Sequence, residues 1–229
     1  MFYRFNIELN KPNSFASCEA LLHDLDDAQA QWNLRYDKLP DFTPNFGELW
    51  LTKRSSLVDF VDDGSATGGN GLIVSEKALA VLQKLKLPPN RSYPLVTTQN
   101  GKKVNAQYYW IQMLSVEYSE WIDFSKSEFQ LKSRFEMDPE VAGDVAKIAN
   151  AKELRVIIET LGESDQELHF SRLVFNEKYQ TSGFDIFWLD YLRGILATEP
   201  IVSERLKEAF ETNGLVGYFL RNVPIVIQP

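Results

Sequence analysis

One short phrase occurs twice in this chain. Ile73-Val74-Ser75-Glu76-Lys77 returns as Ile201-Val202-Ser203-Glu204-Arg205, followed each time by a run with helical spacing and then by an extended run. The first copy continues through residues 78–87 to Tyr93-Pro94-Leu95-Val96, the second through residues 206–215 to Val216-Gly217-Tyr218-Phe219-Leu220. A β-branched pair suits the end of a strand. Serine is a favoured N-cap because its hydroxyl accepts a hydrogen bond from an orphan amide of the first helical turn. The glutamate that follows lies beside the positive end of the helix dipole. Ala78 and Leu206 stand where a capping box needs Glu or Gln, so each cap rests on its serine. Asn213-Gly214 stops the second helix and Pro88-Pro89 the first. The repeat predicts a duplicated strand-helix-strand unit with Ser75 and Ser203 as structural caps. As nucleophiles the same serines lack a G-x-S-x-G elbow and a histidine nearby in sequence.

The rest of the chain places this unit in an α+β fold with a mainly antiparallel sheet and several packed helices. Tyr3, Phe5, Ile7 and Leu9 alternate with polar residues as a half-buried strand does. Residues 17–27 read as a short amphipathic helix and 46–52 as a strand. Residues 62–71, Asp-Asp-Gly-Ser-Ala-Thr-Gly-Gly-Asn-Gly, read as a loop. Asn100-Gly101 between extended runs is a strong hairpin signal. Asp138-Pro139 suits a helix start, with Val141, Val145, Ile148 and Ala149 at helical spacing, and a second helix is expected over 153–161. Strands are expected at 168–175 and, interrupted by Pro224, at 216–227. The organisation that follows is one α+β domain over 1–229, divisible into an N-terminal half (1–131) and a C-terminal half (132–229) with one unit each.

At 229 residues the chain can bury a substantial core, and 44% hydrophobic with 13% aromatic content excludes disorder. A single cysteine, Cys18, forms no internal disulfide and fits a reducing compartment. No apolar run approaches the roughly 18 residues that span a bilayer. No basic stretch followed by an apolar block opens the chain, so secretion by a signal peptide is not expected. The net charge is −8, and residues 1–70 hold eleven acids against six bases. Such a balance disfavours nucleic acid and anionic membrane surfaces and suits a basic protein partner, although plain solubility also accounts for it.

Catalytic constellations are scarce. His23 sits beside Asp24, Asp26 and Asp27 without the second His or Cys of a ligand set, and His169 stands alone. Gly68, Gly69 and Gly71 lack the Lys-Ser/Thr ending of a phosphate loop, and Asp62-Asp63 lacks calcium-loop spacing. The aromatic stripe Tyr108, Tyr109, Trp110, Tyr118, Trp121 and Phe124 reads as core before it reads as a binding platform. No catalytic residue, metal site or cofactor is expected.

The run at 201–209, with Gly214-Leu215-Val216-Gly217 and an aromatic strand after it, resembles the C-terminal signature of the bacterial immunity proteins of polymorphic toxin systems, specifically the eleventh immunity class. The earlier Ile-Val-Ser-Glu-Lys copy, the strand at Tyr93-Pro94-Leu95-Val96, Tyr108-Tyr109, and Asp123, Ser127 and Phe129 in a D-x-x-x-S-x-F pattern are similar too. The resemblance spans residues 46–130 and 168–223. It implies a cytoplasmic protein that binds a cognate toxin and neutralises it by occlusion, without turnover. If that toxin is basic, Asp59, Asp62 and Asp63 in the polar segment 59–71 are the expected partner-binding carboxylates. On the residues alone two alternatives stay open: a hydrolase whose site is assembled from scattered carboxylates, and a small-molecule or peptide-binding module. Oligomeric state is not legible.

Overall fold

Strands outweigh helices because the chain is rich in short alternating apolar runs. The structure, a computed structural model, describes residues 1–8, 27–51, 57–62, 70–133, 135, 143–161, 164–189 and 199–228. In chain order the strands are β1 (Phe2–Ile7), β2 (Glu48–Leu51), β3 (Phe60–Val61), β4 (Asn70–Ser75), β5 (Asn90–Gln99), β6 (Lys102–Lys103), β7 (Tyr108–Met113), β8 (Glu128–Ser133), β9 (Asp144–Ala146), β10 (Gln166–Phe175), β11 (Ile186–Phe187), β12 (Ile201–Ser203), β13 (Tyr218–Asn222) and β14 (Ile225–Ile227). The helices are α1 (Glu76–Leu82), α2 (Ala151–Leu161), α3 (Glu177–Ser182) and α4 (Glu204–Thr212). The fold is α+β. Most pairings are antiparallel, while β2–β5 and β10–β14 run parallel.

The chain forms two compact units. One contains residues 1–5, 117–204 and 220–229, the other residues 6–116 and 205–219. The division therefore falls at 116/117 instead of 131/132, and the chain ends are shared out. The reason is pairing: β8 joins β9 and β10, and residues 2–4 of β1 pair with β12.

In the unit holding residues 6–116, the sheet order is β2-β5-β7-β4-β3, with β6 beside β5. Alternation decides its faces. Leu49, Leu51, Tyr93, Leu95, Tyr108, Trp110 and Ile73 turn inward onto Leu34, Phe46, Val58 and Val61. Helix α1 buries Ala78, Leu79, Val81 and Leu82 and packs on β4 and β7. Phe210 of α4 meets Phe60 at 5.1 Å and Tyr218 at 5.2 Å between ring centroids. Asn100 and Gly101, at φ 53° and 70°, form the tight turn between β5 and β6, which such residues favour because they tolerate a left-handed backbone.

In the other unit, the core is a nest of rings. Phe175 stacks on Tyr179 at 5.0 Å, and Phe2, Trp121 and Phe187 pack around them within 6.2 Å. The sheets here run β11-β12-β1-β13 and β14-β10-β8-β9. The helix expected from Asp138-Pro139 through Ala149 is not what the described part shows. Residues 136–142 lie outside it, and Asp144–Ala146 form β9 against Phe129–Leu131. The helix begins later because Asn150 captures its first turn. Asn150 Oδ1 accepts from the Glu153 amide at 3.0 Å, and Glu153 Oε2 accepts from the Ala149 amide at 2.8 Å. Helix α3 was not legible; Asn176 caps it by accepting from the Lys178 amide. The expected helix at 17–27 and the loop residues 63–69 lie almost wholly outside the described residues.

Trp121 packs against four rings, those of Phe175, Tyr179, Phe184 and Phe187. Trp121→Ala is expected to cost about 3–5 kcal/mol, read as a lowered denaturant midpoint at unchanged m-value.

Candidate functional site

The repeated serines come first, because the geometry around them decides what they can do. Ser75 ends β4 and caps α1, its Oγ accepting from the Ala78 amide at 3.1 Å. The same hydroxyl donates to Asp59 Oδ1 at 2.6 Å, and the Ser75 amide donates to the Asp59 carbonyl at 2.9 Å. Asp59 Oδ2 accepts from the Val216 amide at 2.9 Å, and Lys77 lies 4.0 Å away while donating to the Gly214 carbonyl at 2.8 Å. One buried carboxylate thus ties the start of β3, the N-terminus of α1 and the turn after α4. That turn comes close because Gly217, at φ +95°, lacks a Cβ that would sit 2.9 Å from Val58. Beside it Tyr108 donates to the Val58 carbonyl at 2.8 Å. Burial, aided by the Asp59 charge, pushes its phenol up to about 12.

At the second serine a matching set of bonds is found. Ser203 Oγ donates to Asp185 Oδ1 at 2.7 Å, and the Ser203 amide donates to the Asp185 carbonyl at 2.9 Å. Asp185 is buried and precedes β11 as Asp59 precedes β3. Ser203 stands immediately before α4, whose first amide, that of Glu204, donates to the Met1 carbonyl, as the Glu76 amide donates to that of Gln107. Each hydroxyl gives its one proton to a buried carboxylate, and Ser75 Oγ also accepts from the Ala78 amide.

The expectation for Asp59 as a solvent-facing partner contact needs correction. It is 7% exposed and its oxygens are committed inside the fold, because burying an ionised carboxylate demands several donors. Asp62 is half-buried and engaged, and Asp63 lies outside the described residues. His23, Asp24, Asp26, Gly68 and Gly69 lie outside as well. His169, on β10, has its Nε2 3.8 Å from Glu167 Oε2. Burial and then Lys132 lower its pKa. Of the aromatic stripe, Tyr108, Trp110, Tyr118 and Trp121 are core, while Tyr109 and Phe124 are half-buried. Among the described residues no cluster of His, Cys, Asp or Glu is placed to hold a metal, and no helix is long and apolar enough to cross a membrane.

Two outward-facing surfaces escaped the sequence reading. The first is a groove of about 410 Å³ lined by Phe124, Phe129, Ala146, Ile148 and Ala149, with Glu128, Lys147 and Glu153 among its polar residues. The D-x-x-x-S-x-F pattern builds its wall. Ser127 Oγ donates to the Asp123 carbonyl at 2.8 Å and accepts from the Val174 amide at 2.9 Å, which sets Phe129 against Phe124 at 6.2 Å. The hydroxyl of Ser125 and then Lys126 hold the Asp123 carboxyl below its ordinary value. Nearby, burial pushes Glu117 up, but Ser119 and Arg155 outweigh it and leave that carboxyl lowered too.

The second surface is the outer face of β2 and β5, where Trp50 is 40% and Val96 49% exposed. Strand alternation puts Glu48 and Trp50 on this face while Leu49 and Leu51 are buried. The pairs Glu48↔Val96, Trp50↔Thr98 and Thr98↔Lys103 carry the face across three strands, and Pro94↔Tyr109 continues it onto β7. Trp50 Nε1 donates to Glu48 Oε2 at 3.0 Å, which fixes the indole on the surface.

Two measurements check this geometry. In a double-mutant cycle of Asp59→Asn and Ser75→Ala, the coupling energy is expected at about 1–3 kcal/mol; values near zero would mean the bond contributes nothing. The lowered Asp123 carboxyl stabilises the fold fully above its unfolded pKa, and this contribution is lost as pH falls through the folded one. Asp123→Asn is therefore expected to flatten the acid limb of an unfolding midpoint measured against pH. Compared with known proteins, the sequence matches no family model and no curated protein.

Proposed function

We propose that this is a binding protein of the immunity type, which recognises a cognate, basic toxin in the cytoplasm and neutralises it by occlusion, without turnover. The observation that carries the reading is the outer face of β2 and β5, where a tryptophan and a valine are held in solvent on a rigid sheet. An aromatic side chain held outward on a sheet can anchor a partner, and tryptophan is enriched among the residues that carry interface binding energy. The bonds of Ser75 and Ser203 to buried aspartates suit a structural role for the repeated phrase, joining a loop to a strand end and a helix start.

The repeated phrase fits this reading as a duplicated scaffold, β3-β4-α1-β5 completed by β7 and β11-β12-α4-β13 completed by β1. The support is register. Phe60↔Val74 and Val61↔Ile73 correspond to Ile186↔Val202 and Phe187↔Ile201. Ser75↔Tyr108, Val74↔Tyr109 and Ile73↔Trp110 correspond to Ser203↔Phe2, Val202↔Tyr3 and Ile201↔Arg4. The sheet orders β3-β4-β7-β5 and β11-β12-β1-β13 then coincide. In the second copy the completing strand comes from the start of the chain.

A second reading rests on the groove beside Phe129, whose volume of about 410 Å³ suits a small ligand or a peptide side chain. The readings separate in a titration of this protein against the activity of any toxin whose gene adjoins its own. Occlusion predicts a linear loss that reaches zero at one equivalent. Complete loss at a small fraction of an equivalent would mean turnover, and full activity in excess protein would end the immunity reading.

A further inference from the structure

We infer that the Glu48–Trp50 pair on β2 is a docking point for an arginine or lysine side chain of an extended basic segment in the protein partner; this rests on the binding role proposed above. Three observations lead there. Trp50 is 40% exposed on a strand whose alternate residues, Leu49 and Leu51, are core, so the sheet itself holds the ring outward. Its Nε1–H is already satisfied by Glu48 Oε2, which leaves the indole π-face as its recognition element. Glu48 Oε1 makes no hydrogen bond among the described residues, so a carboxylate oxygen waits beside the ring. A cation above an indole and next to a carboxylate gains from the ring quadrupole and from charge together, and a guanidinium can stack and donate at once.

Charge complementarity selects the occupant. The unit that holds β2 is close to neutral, with fourteen acids against thirteen bases over residues 6–116 and 205–219, so the choice is local: the Glu48 carboxylate beside the indole attracts a cation and repels an anion. Within the patch the charges are polarised, with Glu48 on β2 and Lys103 two strands away on β6 in the same cross-strand row as Trp50. Strands lie roughly 4.8 Å apart, so Lys103 is about 10 Å from the Trp50 strand and directs the cation to the Glu48 end. Between them Val96, with Pro94 alongside, offers an apolar floor for the aliphatic residues that alternate with charges in an extended segment.

The test uses a capped heptapeptide alternating arginine with valine, and its counterpart alternating glutamate with valine. The readouts are the Trp50 indole N–H and Val96 methyl resonances of the full chain, assigned through Trp50→Phe. We expect saturable shifts concentrated at these two groups with the basic peptide only. Affinity should drop about tenfold in Trp50→Ala and severalfold in Glu48→Gln. Shifts of equal size with the acidic peptide, shifts spread over the acidic surface without focus on Trp50, or no shifts would each overturn the proposal. Toxin binding separates this site from the role it serves. A toxin held equally by wild type and Trp50→Ala would overturn the site and leave the immunity role standing. A toxin ignored by wild type would remove that role, while the peptide result still decides the site.

Discussion

A buried carboxylate with several donors organises the half of the molecule that carries the exposed tryptophan. Asp59 receives the Ser75 hydroxyl and the Val216 amide, and its own carbonyl receives the Ser75 amide. An ionised carboxylate out of water is tolerable only when such donors replace its hydration, and the same requirement makes the arrangement specific. Moving any one of the three segments it ties would strand a charge or an amide in the interior. Once β3, α1 and the turn after α4 are fixed, Phe60, Phe210 and Tyr218 close on one another, and Tyr108 reaches the Val58 carbonyl. Asp185 and Ser203 repeat the central part of this arrangement.

That arrangement also bears on how the protein works. A serine that donates to a carboxylate and accepts from a helical amide is a fastener. On the outward face of the same unit, strand alternation leaves Glu48, Trp50 and Val96 in solvent over a core of Leu49, Leu51 and Leu95. The bond from the Trp50 indole to Glu48 orients the ring before any partner arrives, which lowers the ordering left to do on binding.

The parts of the fold legible in the sequence were the local ones. Ser75 as a cap, Asn100-Gly101 as a turn and β1 as a strand depend on neighbours a few residues away. The half-buried alternation expected of β1 is not found, since Phe2, Tyr3, Arg4 and Phe5 are all buried. Asp59 was misjudged because its partner is 16 residues distant along the chain and Val216 is 157, so nothing nearby distinguishes it from the acids of a solvated loop. Val145 fits a helical period and a strand equally well, and Asn150 settles the matter by starting α2 after it. Trp50 read as strand propensity alone, because which face of a strand meets solvent depends on what covers the other. The Asp123, Ser127 and Phe129 pattern was visible, but its work in bracing Val174 and walling the groove needed coordinates.

The most direct test of the fastening role is amide hydrogen exchange of the native protein. If Asp59 holds its three segments as one cooperative body, the Ser75, Ala78 and Val216 amides exchange only through global unfolding and share one opening free energy. Asp59→Asn then lowers protection at all three together. Exchange at Val216 as fast as at the exposed Lys102 and Lys103, with Ser75 still protected, would contradict the account.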